Sequence, residues 1–263
     1  GCPYDCYTLS MCSLMGGSVV AEYECESGEV CCGPAADTET ETETESTTET
    51  ESETESETGG DANTYAIATD TYSWVDIASS GTAVSGLGDD DYDGPFDIGF
   101  TFPFYGASKT QFYVSSNGFI AFNTNNSLTN QCPLPSTTTP NDLIALMWDD
   151  LDPSDNSEVA YYQTYSSCPT GAGQCLVVQY ESFSHCCDGS TTAGTFEAIL
   201  YAGGDILIQF EDAGAETGSS STTGIENSAG TYGLSYGTCD AVGSISDNLA
   251  LCFYSLGVTT GCH

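Results

Sequence analysis

From Gly59 onward the chain is a succession of short apolar or alternating runs separated by clusters of Gly, Asn, Asp, Ser and Pro. No stretch carries the periodicity of an amphipathic helix. The runs are Tyr65–Thr69, Ser73–Ile77, Phe96–Phe104, Thr110–Val114, Gly118–Phe122, Asp142–Trp148, Glu158–Tyr165, Cys175–Phe183, Thr195–Tyr201, Asp205–Glu211, Tyr232–Tyr236 and Leu249–Leu256. So many short strands punctuated by turns predict an all-β domain, an antiparallel β-sandwich. The clearest hairpin joins Thr195–Tyr201 to Asp205–Glu211 through Ala202-Gly203-Gly204, because consecutive glycines supply the positive φ angles of a tight turn. The longest apolar run, Leu143 to Trp148, is far too short to span a bilayer as a helix.

Cysteine usage adds the compartment. Cys2, Cys6, Cys12, Cys25, Cys31 and Cys32 precede residue 33, and Cys132, Cys168, Cys175, Cys186, Cys187, Cys239, Cys252 and Cys262 follow residue 130. Both groups are even, as expected of two separately folded, disulfide-stabilised units in an oxidising, extracellular or cell-surface location. The first unit, 1–36, is too small to be held by an apolar core, so disulfides are its main support. A zinc site there is disfavoured, since the segment has no His and no pair of CxxC motifs. Cys168 and Cys175 bracket a turn-rich tip, and a local disulfide is expected between them. His185-Cys186-Cys187 reads as disulfide cysteines rather than a metal trio, because adjacent residues seldom converge on one ion. The start at Gly1, with no charged-then-apolar leader, is expected of a mature exported form.

Between the units lies an acidic segment, 37–60, whose residues 37–58 are one Asp, nine Glu, nine Thr and three Ser. With no apolar side chain it cannot form a core, and its like charges keep it extended. Fully stretched, the 22 residues reach about 75 Å. Its hydroxyls, Thr38, Thr40, Thr42, Thr44, Ser46, Thr47, Thr48, Thr50, Ser52, Thr54, Ser56 and Thr58, are candidates for O-glycosylation into a stalk. Strict Thr/Glu alternation would also suit a strand added to a neighbouring subunit's sheet edge. The third region, 61–263, is the sandwich.

The whole chain carries 39 acidic residues against one Lys, Lys109, and no Arg, a formal charge of −38. Nucleic acid and anionic membrane surfaces are thereby excluded as partners, because both require Lys and Arg to displace counterions. A saline habitat would also account for such acidity. The balance favours a cationic partner, and a metal ion is the simplest.

Several segments resemble a known family: DIGFTFPFYG at 97–106, YVSSNGFIAF at 113–122, Pro135 through PNDLIALMWDDLD ending at Asp152, TFEAILY at 195–201, GDILIQF at 204–210 and TGIEN at 223–227. Together they resemble the β-sandwich module of secreted bacterial proteins that is distantly similar to the extracellular nidogen-type domain. The resemblance covers much of 72–256. It implies a non-catalytic extracellular domain of the kind appended to surface proteins and secreted peptidases.

Two loops are candidate calcium sites. Asp89-Asp90-Asp91-Tyr92-Asp93-Gly94 carries alternating carboxylates, Asp89, Asp91 and Asp93, before a glycine. An EF-hand is rejected, since its twelfth position would be Phe100. The second cluster, Asp149, Asp150, Asp152 and Asp155, follows an apolar strand, and its first three carboxylates join the predicted metal ligands. Gly233-Leu234-Ser235-Tyr236-Gly237 matches the nucleophile elbow of serine hydrolases, but only His263 follows it and the context is a strand, so no catalytic residue is assigned. Asn125-Asn126-Ser127 is an N-glycosylation sequon. The functional expectation is a non-catalytic structural or adhesive protein, a repeating subunit of a surface filament contacting copies of itself. The alternatives are a monomeric module binding an extracellular glycan or protein and, remotely, a serine hydrolase.

Overall fold

The computed structural model describes residues 64–263 apart from 125–126, 172, 188–191, 216, 239–240, 257–260 and 263, together with the backbone of three N-terminal strands. The chain divides into two compact units, Gly1–Glu55 and Ser56–His263. In the first, β1 (Asp5–Tyr7), β2 (Ser18–Glu24) and β3 (Val30–Gly33) form an antiparallel sheet in the order β1-β3-β2. The pairing of its six cysteines, and the expectations for the acidic tract, lie outside the described residues.

The second unit is all-β and, among the described residues, helix-free, as expected. A seven-stranded sheet is formed by β4 (Tyr65–Thr69), β5 (Thr82–Val84), β10 (Val159–Tyr165), β11 (Cys175–Ser184), β12 (Thr192–Tyr201), β13 (Ile206–Asp212) and β16 (Leu249–Ser255). Its order is β4-β16-β13-β12-β11-β10-β5. A six-stranded sheet holds β6 (Tyr92–Phe104), β7 (Ala107–Ser115), β8 (Phe119–Ala121), β9 (Leu143–Trp148), β14 (Thr222–Glu226) and β15 (Gly233–Ser235) in the order β15-β14-β9-β8-β7-β6. The expected hairpin is present: Tyr201 N donates to Asp205 O at 2.9 Å, with Gly204 at φ +102°.

Alternate residues of facing strands fill the space between the sheets. Phe196, Ala198 and Leu200 of β12, with Ile206, Ile208 and Phe210 of β13, pack with Ile144 and Leu146 of β9 and Phe112 and Val114 of β7. The other set of alternate residues is buried too. On the outer face of the seven-stranded sheet Val177, Ile199, Tyr201 and Leu207 lie under Val75, Ile77 and the disulfides Cys168–Cys175 and Cys252–Cys262. On the outer face of the six-stranded sheet Phe119, Leu143, Ala145 and Trp148 lie under Leu128 and Leu134, and Trp148 Nε1 donates to Leu128 O at 2.7 Å. Covering both faces explains why Leu143–Trp148 is a continuous apolar run rather than an alternating one.

Ser73–Ile77 departs from expectation, being extended but not a strand. Its amides are taken by side chains of the underlying sheet, which removes the need for a neighbouring strand.

Candidate metal centre where two acidic loops meet

The turn between β7 and β8 is the local determinant of the site. Gly118 sits at φ +74°, and a Cβ there would lie 2.2 Å from Met147 O, so only glycine permits this approach to β9. The turn thereby reaches both acidic loops. Asp91 N donates to Ser116 Oγ at 2.9 Å, and Asn117 Nδ2 donates to Asp90 Oδ1 at 2.9 Å. On its other side Asp149 N donates to Asn117 O at 3.3 Å and Leu151 N to Asn117 Oδ1 at 3.3 Å. One Asn therefore holds the loop before β6 against the loop after β9, although they are some sixty residues apart in sequence.

The end of β11 closes the group from the opposite sheet. Leu151 forms a bridge with His185, Asp152 N donates to Ser184 O at 3.1 Å, and Cys186 N donates to Asp150 O at 2.8 Å. His185 Nδ1 lies 3.7 Å from Asp149 Oδ2, and Ser220 Oγ donates to the same carboxylate. Carboxylate oxygens of Asp89 and Asp150 and Cys186 Sγ all lie within 4.8 Å of one another. The sulfur belongs to a disulfide between Cys186 and Cys187, so oxygen ligands are what the site offers.

Electrostatics follow from this crowding. Asp89 has its carboxyl pushed up by loss of surrounding water and by Asp152, Asp90 and Asp150. Asp150 is pushed up by loss of water, then by Asp90, Asp149 and Asp152, with His185 acting in the opposite sense. A hard cation placed among these oxygens would relieve the repulsion. Lys109 does not serve that purpose. Its Nζ is bound to both oxygens of Asp142 at 2.8 and 2.6 Å and sits 5.2 Å from the Phe122 ring centroid.

The two sequence clusters are thus one spatial cluster with a different membership from the alternating set. Asp89 and Asp150 meet, and Asp90, Asp149 and Asp152 lie near enough to push their carboxyls up. Asp91 Oδ1 and Oδ2 instead accept from Tyr92 N and Gly88 N, and Asp93 Oδ1 accepts from Gly94 N. The physical reason is strand geometry: Asp93 is already in β6, paired with Val114, where successive side chains point to opposite faces. The sequence reading does not single out Asn117 or Ser116, and it sets His185 aside with Cys186 and Cys187, whereas the structure puts His185 beside Asp149. The Ser116-Asn117-Gly118 turn between two apolar runs was the available signal.

The remaining candidates take structural roles. The Cys168–Cys175 disulfide is formed as expected, Cys132 is disulfide-bonded, and no described cysteine is free. Ser235 lies in β15, and its Oγ accepts from Leu134 N at 2.7 Å. That is a strand tied to a loop, with none of the strand-to-helix turn that a nucleophile elbow requires. Asn125 and Asn126 of the sequon, Cys239 and His263 lie outside the described residues. Among the described residues no helix is long and apolar enough to cross a membrane.

Comparison with known proteins returned no match among curated proteins and none among solved structures. A sequence model of the NIDO-related family matches residues 64–249, which is most of the chain and every strand of the two sheets but β16, of which it reaches only the first residue. That family is a non-enzymatic type of module, and the match points to an extracellular one. The all-β fold, the disulfides and this match agree, and the chain belongs to the NIDO-related family.

Proposed function

We propose that this chain is a non-catalytic extracellular structural or adhesive protein, a repeating subunit of a surface filament or matrix fibre, stabilised by disulfides and calcium. The observation that carries the calcium part is the meeting of Asp89 and Asp150, one from each loop, with Asp90, Asp149 and Asp152 near enough to repel them and the one Lys held at Asp142. Carboxylates so placed are costly without a cation and become a ligand set with one. Bound calcium would pin the loop before β6 to the loop after β9 and to the end of β11. The two sheets would then be tied at one end of the sandwich.

Self-association is supported by the sheet edges. Both outer faces are covered, whereas β4 and β5 end the seven-stranded sheet and β15 and β6 end the other. β6 carries Pro95, which offers no N–H and makes that edge the poorer one to extend. β4 is the better edge, and the acidic tract, carrying sugars or adding as a strand, would space or join successive copies.

Electron microscopy of purified native material, with and without calcium, tests the reading. Fibres with a regular subunit repeat are expected, and monodisperse particles in both conditions would overturn the filament part. Calcium is tested separately by thermal unfolding. A chelator is expected to lower the melting temperature, and an unchanged transition would remove calcium from the account.

A further inference from the structure

Residues 72–77 cross the outer face of the seven-stranded sheet, and the way they are held is unusual for a loop. Gln179 of β11, Glu197 of β12 and Gln209 of β13 stand in one row, paired Gln179 with Glu197 and Glu197 with Gln209 across the ladders. All three are almost wholly buried. Ser73 N donates to Gln209 Oε1 at 2.6 Å, Val75 N to Glu197 Oε1 at 3.1 Å and Ile77 N to Gln179 Oε1 at 2.7 Å. Gln209 Nε2 returns a bond to Ser73 O at 2.9 Å and a second to Glu197 Oε1 at 2.8 Å. Every second amide of the strap is therefore received by a side chain of the sheet. Val75 and Ile77 then complete the apolar cover.

The middle member of this row is an acid, and its second oxygen, Oε2, is buried without a hydrogen-bond partner. An ionised carboxylate buried with one oxygen unpartnered is costly, whereas a neutral carboxyl is much less so. The titratable groups facing it are Asp76 and Tyr72 from the strap, Glu181 from β11, Glu211 from β13 and Tyr201 from β12. None of them is cationic. The chain's one Lys is bound to Asp142 on the other sheet.

We propose that residues 72–77 form a strap latched by a single proton on Glu197: while the carboxyl is neutral the strap stays seated, and ionisation drives it off the sheet. The inference is independent of filament formation and of calcium. Burial, opposed in part by the Val75 and Gln209 bonds and reinforced by Glu211 and Asp76, raises the Glu197 carboxyl from 4.5 to about 8. Lifting the strap returns the group to water and toward its ordinary value. By linkage, the closed state binds the proton more tightly than the open one. Opening therefore becomes more favourable by about tenfold per pH unit between the two values. Acid seats the strap and neutral to alkaline conditions loosen it.

Amide hydrogen exchange on the full chain reads this directly. Protection of Ser73, Val75 and Ile77, corrected for the intrinsic pH dependence of exchange, is expected to fall about tenfold per pH unit between pH 5.5 and 7.5. The amides of β9 in the other sheet should show no such slope of that origin. In Glu197→Gln, an isostere that cannot ionise, the strap's slope should vanish while the β9 pattern is unchanged. Trp74 lies on the strap and Trp148 is buried in the other sheet, so quenching of tryptophan fluorescence by acrylamide gives a second reading in the unmodified protein. Quenching should rise over the same pH range. Flat strap protection in the unmodified protein, or an equal slope in Glu197→Gln, would overturn the proposal. If the variant does not fold, the unmodified protein's exchange and quenching profiles decide alone, and a flat pair of profiles refutes the latch.

Discussion

Replacing Lys109 by Met removes the only lysine of the chain and, with it, the partner of a largely buried carboxylate. The side chains of Lys109 and Asp142 are 14% and 7% exposed. Asp142 then keeps the Asn123 Nδ2 contact at 3.3 Å, a neutral donor in place of a cation. Breaking a buried pair from one side costs about 3–5 kcal/mol, because the remaining charge is left uncompensated. The residual exposure lets water reach the pair, which places the expected loss near about 3 kcal/mol. For a domain of this size each kcal/mol corresponds to about 2–4 °C, so the melting temperature should fall by about 6–12 °C. Calorimetry with disulfides intact measures it. The double variant Lys109→Met with Asp142→Leu should recover most of the loss, since removing both charges leaves no orphan. The single lysine also permits a chemical check, read at its own position so that labelling of the α-amino group does not count. Lys109 in the native protein should resist an amine-reactive reagent that labels it at once in denaturant. A drop below about 2 °C in the single variant, or no recovery in the double one, would show that the contact is of the surface kind, worth under about 1 kcal/mol.

Three further outcomes are expected. Glu226 is buried in β14, accepts from Ser136 N and has its carboxyl pushed up to about 7 by burial. Because the folded state holds this proton more tightly than the unfolded one, the contribution is fully present below pH 4.5 and is lost as pH rises through about 7. Glu226→Gln should flatten stability over that window in denaturant titrations, and an unchanged slope would refute the assignment. Gly118→Ala, which meets Met147 O at 2.2 Å with φ at +74°, should lower stability by more than about 2 kcal/mol and abolish any calcium-dependent rise in melting temperature. Ser235→Ala should leave labelling by a serine-reactive probe unchanged yet cost about 1–3 kcal/mol, since Leu134 N loses its acceptor.

The fold was legible because its determinants are local. Alternating or continuous apolar runs between turn residues marked β4, β9, β11, β12, β13 and β16 within a few residues. The short β5, Thr82–Val84, was not marked, having too few side chains to show a period. The Ser73–Ile77 run looked like a strand because extended backbone with alternate apolar residues is the same signal whether a ladder or a row of side chains receives the amides. The acidic loops were legible as two clusters, and Asp89, Asp149, Asp150 and Asp152 as their members. Their union was not, since it depends on Asn117 standing between them.

By itself, then, the sequence determined the class of structure. Strand periodicity, an even cysteine count in each half and the near absence of basic residues are properties that act residue by residue, and composition reports them faithfully. Only tertiary structure decided which acids meet, which acid is buried under a strap with one oxygen unpartnered, and that the lone lysine is bound internally at Asp142. Those outcomes depend on contacts between residues far apart in the chain. Electrostatic energy is set by separation and by burial, and a linear sequence specifies neither.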